Sequence, residues 1–201
     1  MSFAKVQSAQ PTLLGASIVD VETDLSKGLN AFTIVGLPDK AGEESRDRVS
    51  AAIKNAGFDS PKSKNQKTVV SLAPADIKKE GPAFDLAIAL SYLLAAGDIK
   101  FNPKGKLFVG EMSLDGHLRK MNGVLSVTKE AKQRGFGEVY VPKENAREAA
   151  LIEGISVFPV ESLTEIVEHL YQKRGGENRG KTIKPQPATV LNTDQEEERE
   201  D

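Results

Sequence analysis

The chain has 201 residues, of which 39% are hydrophobic and 28% charged, so it is long enough to fold around one hydrophobic core of ordinary domain size. It has no cysteine, which excludes disulfides, thiol catalysis and cysteine-based metal sites. The net charge of −2 and the absence of tryptophan leave neither an overall basic surface nor an aromatic platform for stacking bases. No signal-peptide pattern opens the chain, so we expect a cytoplasmic protein that does not contact a membrane.

The first quarter of the chain alternates apolar and polar residues, which predicts strands. A weak alternation over 3–9 predicts an edge strand, and a clear one over 13–25 predicts a strand with one face in water. Lys27-Gly28 marks a turn, after which 31–35 is typical of a short buried strand. We therefore expect an N-terminal β-meander.

The following elements alternate between helix and strand. Asp39 is the predicted N-cap of a helix whose apolar residues recur on one face as far as Gly57. Ser162 and Glu165 form a predicted capping box at the start of the last helix. Further strands are predicted over 67–73, 106–112, 117–121, 138–141 and 156–160, and further helices over 122–134, 143–153 and 162–172.

The stretch over 77–96, IKKEGPAFDLAIALSYLLAA, is charged at its start and then almost wholly apolar. A helix without a polar face must be buried, and this one is too short and too rich in alanine to span a membrane. Gly81-Pro82 fixes the turn before the helix, Asp85 lies in its first turn, where the dipole favours an anion, and Gly97 ends it. We predict that this is the central helix of the domain, packed on a sheet.

The composition changes near residue 172, first to glycine, lysine and proline and then to an acidic run over 194–201. Such a segment buries too little apolar surface to order its backbone. We therefore divide the chain into a domain at 1–172 and a disordered polar and acidic linker or tail at 173–201. The fold class predicted for the domain is α+β, with the β-meander followed by alternating strands and helices.

Residues 175–182, which begin at Gly175 and end at Thr182, match the pattern G-x-x-x-x-G-K-[ST] of a phosphate-binding loop. Such a loop needs a buried strand before it and a helix after it, so that backbone N–H groups converge on phosphate. Here the motif follows a predicted helix and precedes Pro185 and Pro187, which do not allow a helix. We interpret the motif as a glycine-rich linker and expect no nucleotide site in this chain.

Two segments resemble the catalytic region of Lon-type proteases: KKEGPAFD, which contains Ala83, and GEMSLDGHLRKMNGVLS, which contains Leu125. In those proteases a serine hydroxyl is activated by a lysine amine. The serine position holds Ala83 and the lysine position holds Leu125, and neither side chain can attack a peptide bond or accept a proton. The resemblance implies a protease-like fold with a degenerate dyad; the alternative is an active Lon-like serine hydrolase with a rearranged dyad.

Longer segments resemble the N-terminal domain of the ComM/YifB family of magnesium-chelatase-like AAA+ ATPases. They are FTIVGLPDKAGEESRDRVSAAIKNAGF, VSLAPADIKKEGPAFDLAIAL, GEMSLDGHLRKMNGVL and VYVPKENAREAALIEG. The resemblance covers about 3–171 and implies a Lon-protease-like, ribosomal-S5-domain-2-like fold. In that family the domain precedes an AAA+ motor that assembles as a hexamer and remodels DNA, and some members drive branch migration during recombination.

The resemblance implies that this chain is a non-catalytic accessory domain that acts in assembly or DNA contact. No motor sequence is found in these 201 residues. ATP and Mg²⁺ are therefore expected for the motor, and no cofactor is expected for this chain. Its implied partners are the motor of the same polypeptide and other copies in a hexamer, with DNA as a further candidate. A free-standing regulatory domain is the alternative.

Seven polar residues are candidate contacts for the motor, a neighbouring subunit or DNA phosphate. They are Asp39, Glu44, Ser45, Arg46, Arg48, Lys78 and Lys79. The first five lie in the family-like segment LPDKAGEESRDR, and the two lysines would form a small patch facing phosphate. The same residues also fit a capped, salt-bridged helix start and plain solubilising charge. The two histidines, His117 and His169, are assigned no role, and no metal site is predicted.

Overall fold

The structure, a computed structural model, describes residues 2–171 and 182–191. The strands in this part of the chain are β1 (Phe3–Thr12), β2 (Gly15–Lys27), β3 (Ala31–Val35), β4 (Gln66–Ala73), β5 (Lys106–Phe108), β6 (Glu111–Met112), β7 (Leu118–Arg119), β8 (Glu138–Pro142) and β9 (Ser156–Val160). The helices are α1 (Asp39–Asn55), α2 (Asp85–Ala96), α3 (Val124–Gln133), α4 (Ala146–Ala149) and α5 (Leu163–Leu170). Short 3₁₀ turns lie at Pro61–Ser63 and Lys143–Asn145.

Seven strands form one mixed sheet in the order β3-β4-β2-β1-β5-β8-β9, and β6 and β7 form a separate hairpin. The strand β2 pairs antiparallel with β1 and β4, while the other four neighbouring pairs are parallel. Parallel neighbours need crossover connections, which the helices provide. The predicted combination of strands and helices is therefore confirmed as a mixed α/β fold with a mostly parallel sheet.

The predicted β-meander is wrong at its third strand. The strands β1 and β2 form the expected hairpin, but β4 lies between β2 and β3, and β3 pairs parallel with β4 through the α1 crossover. As a result β3 lies at the edge of the sheet, whereas β1, predicted at an edge, lies in its centre. Alternation indicates which side chains face the core but not which strands become neighbours.

The sheet is covered by helices on both faces. Along β8, Tyr140 belongs to one buried cluster with α1, α2 and α5, while Val139 and Val141 belong to another with α3 and α4. Because successive side chains of a strand point to opposite faces, the two clusters lie on opposite sides of the sheet. The prediction that α2 is the central helix is confirmed, since ten of its twelve residues are buried. Gly97 ends it in the left-handed conformation, with φ of 77°.

Several predicted boundaries differ from the structure. Asp39 is the first residue of α1 rather than its N-cap, because Pro38 holds the cap position and offers no side-chain acceptor. The strand predicted over 106–112 is divided into β5 and β6, and the helix predicted over 143–153 is a 3₁₀ turn followed by α4. The Ser162 cap is confirmed, since its Oγ accepts the Glu165 N–H at 3.2 Å.

Residues 182–191 lie within the predicted disordered tail, yet they contact the domain; we call them the C-terminal strap. Ile183 is 8% exposed and joins the larger buried cluster. The backbone N–H of Gln186 donates to the Val157 carbonyl of β9 at 2.8 Å, and that of Thr189 donates to the Ala150 carbonyl at 3.1 Å. The strap therefore lies along the outer edge of β9, where the last strand of the sheet has backbone groups to pair.

None of the helices in residues 2–171 and 182–191 is both long enough and apolar enough to cross a lipid bilayer.

Candidate functional site at the start of α2

The candidate site lies where α2 begins, at the position that resembles the nucleophile of Lon-type proteases. The carbonyl of Ala83 accepts the Gly110 N–H at 2.9 Å, and the Leu86 N–H donates to the Gly110 carbonyl at 3.1 Å. These two backbone bonds join the start of α2 to the segment between β5 and β6. A Cβ at Gly110 would lie 2.8 Å from Leu118 Cδ2, so a larger residue would require the Leu118 side chain of β7 to shift.

Asp85, two residues further on, is fully buried and accepts four hydrogen bonds. Its Oδ1 accepts from Ser45 Oγ at 2.7 Å and from Arg48 Nη2 at 3.2 Å. Its Oδ2 accepts from Arg48 Nε at 2.6 Å and from the Met112 N–H at 3.2 Å. Two-point pairing of a guanidinium with a carboxylate is strong and directional. Asp85 therefore fastens α1, α2 and β6 to one another.

Burial and hydrogen bonding shift the pKa of the Asp85 carboxylate in opposite directions. Burial raises the pKa of Asp85 and outweighs the hydrogen bonds from Arg48 and Ser45, which lower it, so the net pKa is raised. Burial lowers the pKa of Arg48, but its hydrogen bonds and attraction to Asp85 outweigh this, and the net pKa is raised. Because all four hydrogen bonds are donated to Asp85, its carboxylate is accommodated in the charged form and forms an ion pair with the partly buried Arg48.

The structure divides the five predicted contact residues of α1 between the interior and the surface. Ser45 is 2% exposed and, with Arg48, is engaged by Asp85. Arg46 donates from Nη1 to the Phe32 carbonyl at 2.8 Å, so it binds the edge strand β3. Asp39 and Glu44 are exposed. Their role as contacts for another molecule stays a prediction.

The two predicted lysines differ from each other. Lys78 is exposed and pairs with Glu80, as expected for a solubilising charge. Lys79 is 2% exposed, and its Nζ donates to the carbonyls of Ile77, at 2.8 Å, and Pro74. The prediction that Lys79 faces phosphate or solvent is therefore wrong. Its ammonium instead binds backbone carbonyls in the loop before α2.

The second position of the degenerate dyad, Leu125, lies in the first turn of α3 and has no polar side-chain atom. Within the described part of the chain, no hydrogen bond joins a serine hydroxyl to a lysine amine. The buried Ser91 instead pairs with Thr23 of β2. The same residues contain no group of three or more His, Asp or Glu side chains that could hold a metal ion. Apart from Thr182, the phosphate-loop match at 175–182 lies outside the residues that the structure describes.

Comparison with known proteins decides the family. Residues 21–145, more than half of the chain, match the family model described as subunit ChlI of Mg-chelatase. The chain is 37% identical to the competence protein ComM of Haemophilus influenzae over 171 residues, which are 85% of this chain and 33% of ComM. This chain belongs to the ComM/YifB family. It is also 39% identical to the uncharacterized protein YifB of Escherichia coli over 155 residues, 77% of this chain and 30% of YifB.

Two more distant relatives of the family domain carry further information. The DNA repair protein RadA of Streptococcus pneumoniae is 33% identical over 95 residues, 47% of this chain and 22% of RadA. The Lon protease of an aster yellows phytoplasma is 24% identical over 172 residues, 80% of this chain and 21% of Lon. The similarity to Lon is consistent with the protease-like fold. The chain spans about a third of the length of ComM and YifB.

The sequence pattern did not predict that Asp85 pairs with Arg48 and joins α1, α2 and β6. Asp85 was expected in the first turn of a buried helix as a partner of the helix dipole. The available signal was the presence of one carboxylate in an otherwise apolar helix, because a buried charge needs an opposite charge beside it. The partner, Arg48, is 37 residues away on another helix, and spacing along the chain does not indicate such a pair.

Proposed function

We propose that this chain is a non-catalytic accessory domain of a ComM/YifB-type AAA+ ATPase that remodels DNA during recombination. The observation that carries the proposal is the similarity to ComM, a competence protein, over 85% of this chain. RadA adds a relative whose name concerns DNA repair. ATP and Mg²⁺ would bind an AAA+ motor of the same polypeptide, and the assembled protein would be a hexamer.

The geometry at the start of α2 supports a role without peptide hydrolysis. The two positions that resemble the catalytic dyad hold Ala83 and Leu125, which supply neither a nucleophile nor a base. The nearby polar groups are engaged elsewhere: Ser45 and Arg48 bind Asp85, and Lys79 binds backbone carbonyls. The polar contacts around this helix start therefore serve to hold the fold together.

One face of the sheet is partly exposed along β2 and carries acidic side chains. This charge favours a role in assembly over a role in DNA contact. Asp20, Glu22 and Asp24 alternate along β2 with the buried residues of the core, so they lie on the same face. Lys5 of β1 neutralises only part of this charge, through Asp20 at 3.2 Å. Carboxylates repel phosphate, so this face suits a protein partner better than DNA.

Adding the isolated chain to the full-length protein tests the assembly role. An excess of the domain competes for contacts between subunits, so both the hexamer fraction, measured by mass photometry, and the DNA-stimulated ATPase rate should fall. The matched control is the double variant Glu22→Lys and Asp24→Lys, which reverses the charge of the partly exposed face and should compete less. An unchanged hexamer fraction at large excess would contradict the assembly role.

Fluorescence anisotropy with branched DNA tests the alternative role in DNA contact. Binding through phosphates weakens steeply, by about 10³-fold or more for several contacts, between roughly 50 and 200 mM salt. We expect no saturable binding of the isolated chain even at the lower concentration. Binding with such a salt dependence would assign the domain to DNA contact instead of assembly.

A further inference from the structure

His169, near the end of α5, is embedded in an aromatic cluster. The sequence pattern placed it on the polar face of the last helix, without a role. Its ring centroid lies 5.8 Å from that of Tyr140 and 5.3 Å from that of Phe158. Both ring nitrogens have a polar neighbour: Nδ1 lies 3.1 Å from the Ile183 backbone nitrogen and Nε2 lies 3.3 Å from Tyr140 Oη.

The direction of each hydrogen bond in this cluster follows from its neighbours. Tyr140 donates its hydroxyl hydrogen to Glu138 Oε2 at 2.6 Å, because a carboxylate can only accept. Its oxygen is then an acceptor, and His169 Nε2 must carry the hydrogen between them. At the other side of the ring, the Ile183 N–H donates to His169 Nδ1. His169 is therefore a neutral imidazole protonated at Nε2, since Nδ1 accepts.

A protonated His169 does not fit this arrangement. A hydrogen on Nδ1 would face the Ile183 N–H, so two donors would meet and the bond to the strap would be lost. Ile183 is also the strap residue that is buried in the larger core cluster. Protonation would therefore act on the residue that anchors the strap to the domain.

We propose that His169 is a pH-sensitive latch: in its neutral form it holds the C-terminal strap on the domain, and protonation releases the strap. Release would withdraw Ile183 from the larger buried cluster and free the Val157 carbonyl that accepts the Gln186 N–H. Because the strap lies in the segment through which this domain would be joined to a motor, the latch would change how the domain is tethered. The latch itself depends only on the contacts of His169, whereas its effect on tethering rests on the proposed function.

The charged groups around His169 act in both directions. Burial is the largest influence and lowers the pKa of His169, and Lys106 of β5 also lowers that pKa. Glu138 of β8 and Glu165 of α5 raise it, without reversing the net decrease. Tyr140 stays protonated because burial and Glu138 raise its own pKa. A lowered pKa in the docked state means that docking is complete above the ordinary histidine pKa of about 6.5 and weakens as the pH falls below it.

Amide hydrogen exchange of residues 182–191 measures docking directly, when each rate is expressed as protection relative to the intrinsic rate at that pH. Between about pH 7.5 and pH 5, we expect protection of the strap to fall by up to about tenfold per pH unit below the free histidine pKa. His169→Gln is neutral at every pH and should show no such fall. The matched control is His117→Gln, which removes the other histidine, an exposed one, and should behave as the unchanged chain.

The latch would be overturned if protection of the strap in the unchanged chain did not depend on pH. It would also be overturned if protection fell equally in His169→Gln, or if the fall disappeared in His117→Gln. A second measurement does not depend on the stability of a variant. In NMR spectra of the unchanged chain, the Ile183 amide and the His169 ring should titrate with one common midpoint below about pH 6.5. An Ile183 amide that is insensitive while His169 titrates would also overturn the proposal.

Discussion

At the scale of single residues, stability at the start of α2 depends on charges that are buried together. Asp85 and Arg48 are held in a two-point contact, and Ser45 and the Met112 N–H complete the coordination of the carboxylate. Removing one member of such a pair leaves the other charge without a partner in the interior. The resulting loss of unfolding free energy is far larger than the stability that the intact pair contributes. The structural role of these residues is therefore best tested by removing one partner at a time.

Replacing Asp85 with alanine should lower the free energy of unfolding by about 3–5 kcal/mol, because the partly buried Arg48 loses its counter-charge and Ser45 and the Met112 N–H lose their acceptor. Urea unfolding followed by circular dichroism measures the change. Asp39→Ala is the matched control, since Asp39 is an exposed carboxylate in the first turn of α1 and should cost about 0.5 kcal/mol or less. Equal costs for the two variants would contradict the assignment of Asp85 as a buried fastening.

Two neighbouring lysines allow a second test at this scale. Lys79→Met removes the charged hydrogen bonds to the Ile77 and Pro74 carbonyls and should cost about 1–3 kcal/mol of unfolding free energy. Lys78→Met should leave stability nearly unchanged, because Lys78 is exposed. As for the unchanged chain, we expect no saturable DNA binding by either variant. Saturable binding by the unchanged chain that is lost in Lys79→Met, with unchanged stability, would restore the phosphate-patch prediction.

At the scale of elements, the β1–β2 hairpin is held against the start of α3 by a close contact. Gly123, the N-cap residue of α3, has φ of 80°, and a Cβ there would lie 2.6 Å from the ring carbons of Pro11. A proline ring has little freedom to move away. Only glycine therefore fits at this point, both for its backbone conformation and for the approach of the hairpin.

A pair of glycine substitutions separates these two effects. Gly135 has φ of 83°, almost the same as Gly123, but a Cβ there would meet nothing within 4 Å. Gly135→Ala should cost about 1–2 kcal/mol through backbone strain alone. Gly123→Ala should cost about 1–3 kcal/mol more, because Pro11 must also be displaced. Thermal unfolding of both variants gives the difference, and equal costs would show that the contact with Pro11 is easily relieved.

Most of the elements could be predicted from the sequence, because apolar periodicity reports the face that each segment buries. The position of α2 and the Ser162 cap followed from patterns within a few residues. The position of β4 between β2 and β3 could not be predicted, since it depends on the crossover of α1 rather than on either strand. The pairing of Asp85 with Arg48 and the docking of Ile183 onto His169 likewise depend on contacts between distant residues.

At the scale of the whole molecule, the domain combines a mixed α/β fold, which similarity to a Lon protease accompanies, with Ala83 and Leu125 at the two positions that resemble the catalytic dyad. The family is shown by the match to the ChlI model over residues 21–145 and by the similarity to ComM and YifB. The interior around α2 is fastened by Asp85 and Lys79, and the strap covers the outer edge of β9. Contact with its own polypeptide and with other copies stays the proposal that the competition experiment tests.

The most direct test of this account exposes the purified chain to a fluorophosphonate, a reagent that labels activated serines, and measures the intact mass together with hydrolysis of a fluorogenic peptide. We predict no labelling and no turnover, because Ala83 and Leu125 occupy the positions of nucleophile and base. Stoichiometric labelling of one serine, accompanied by peptide hydrolysis that the reagent abolishes, would contradict the proposed non-catalytic role.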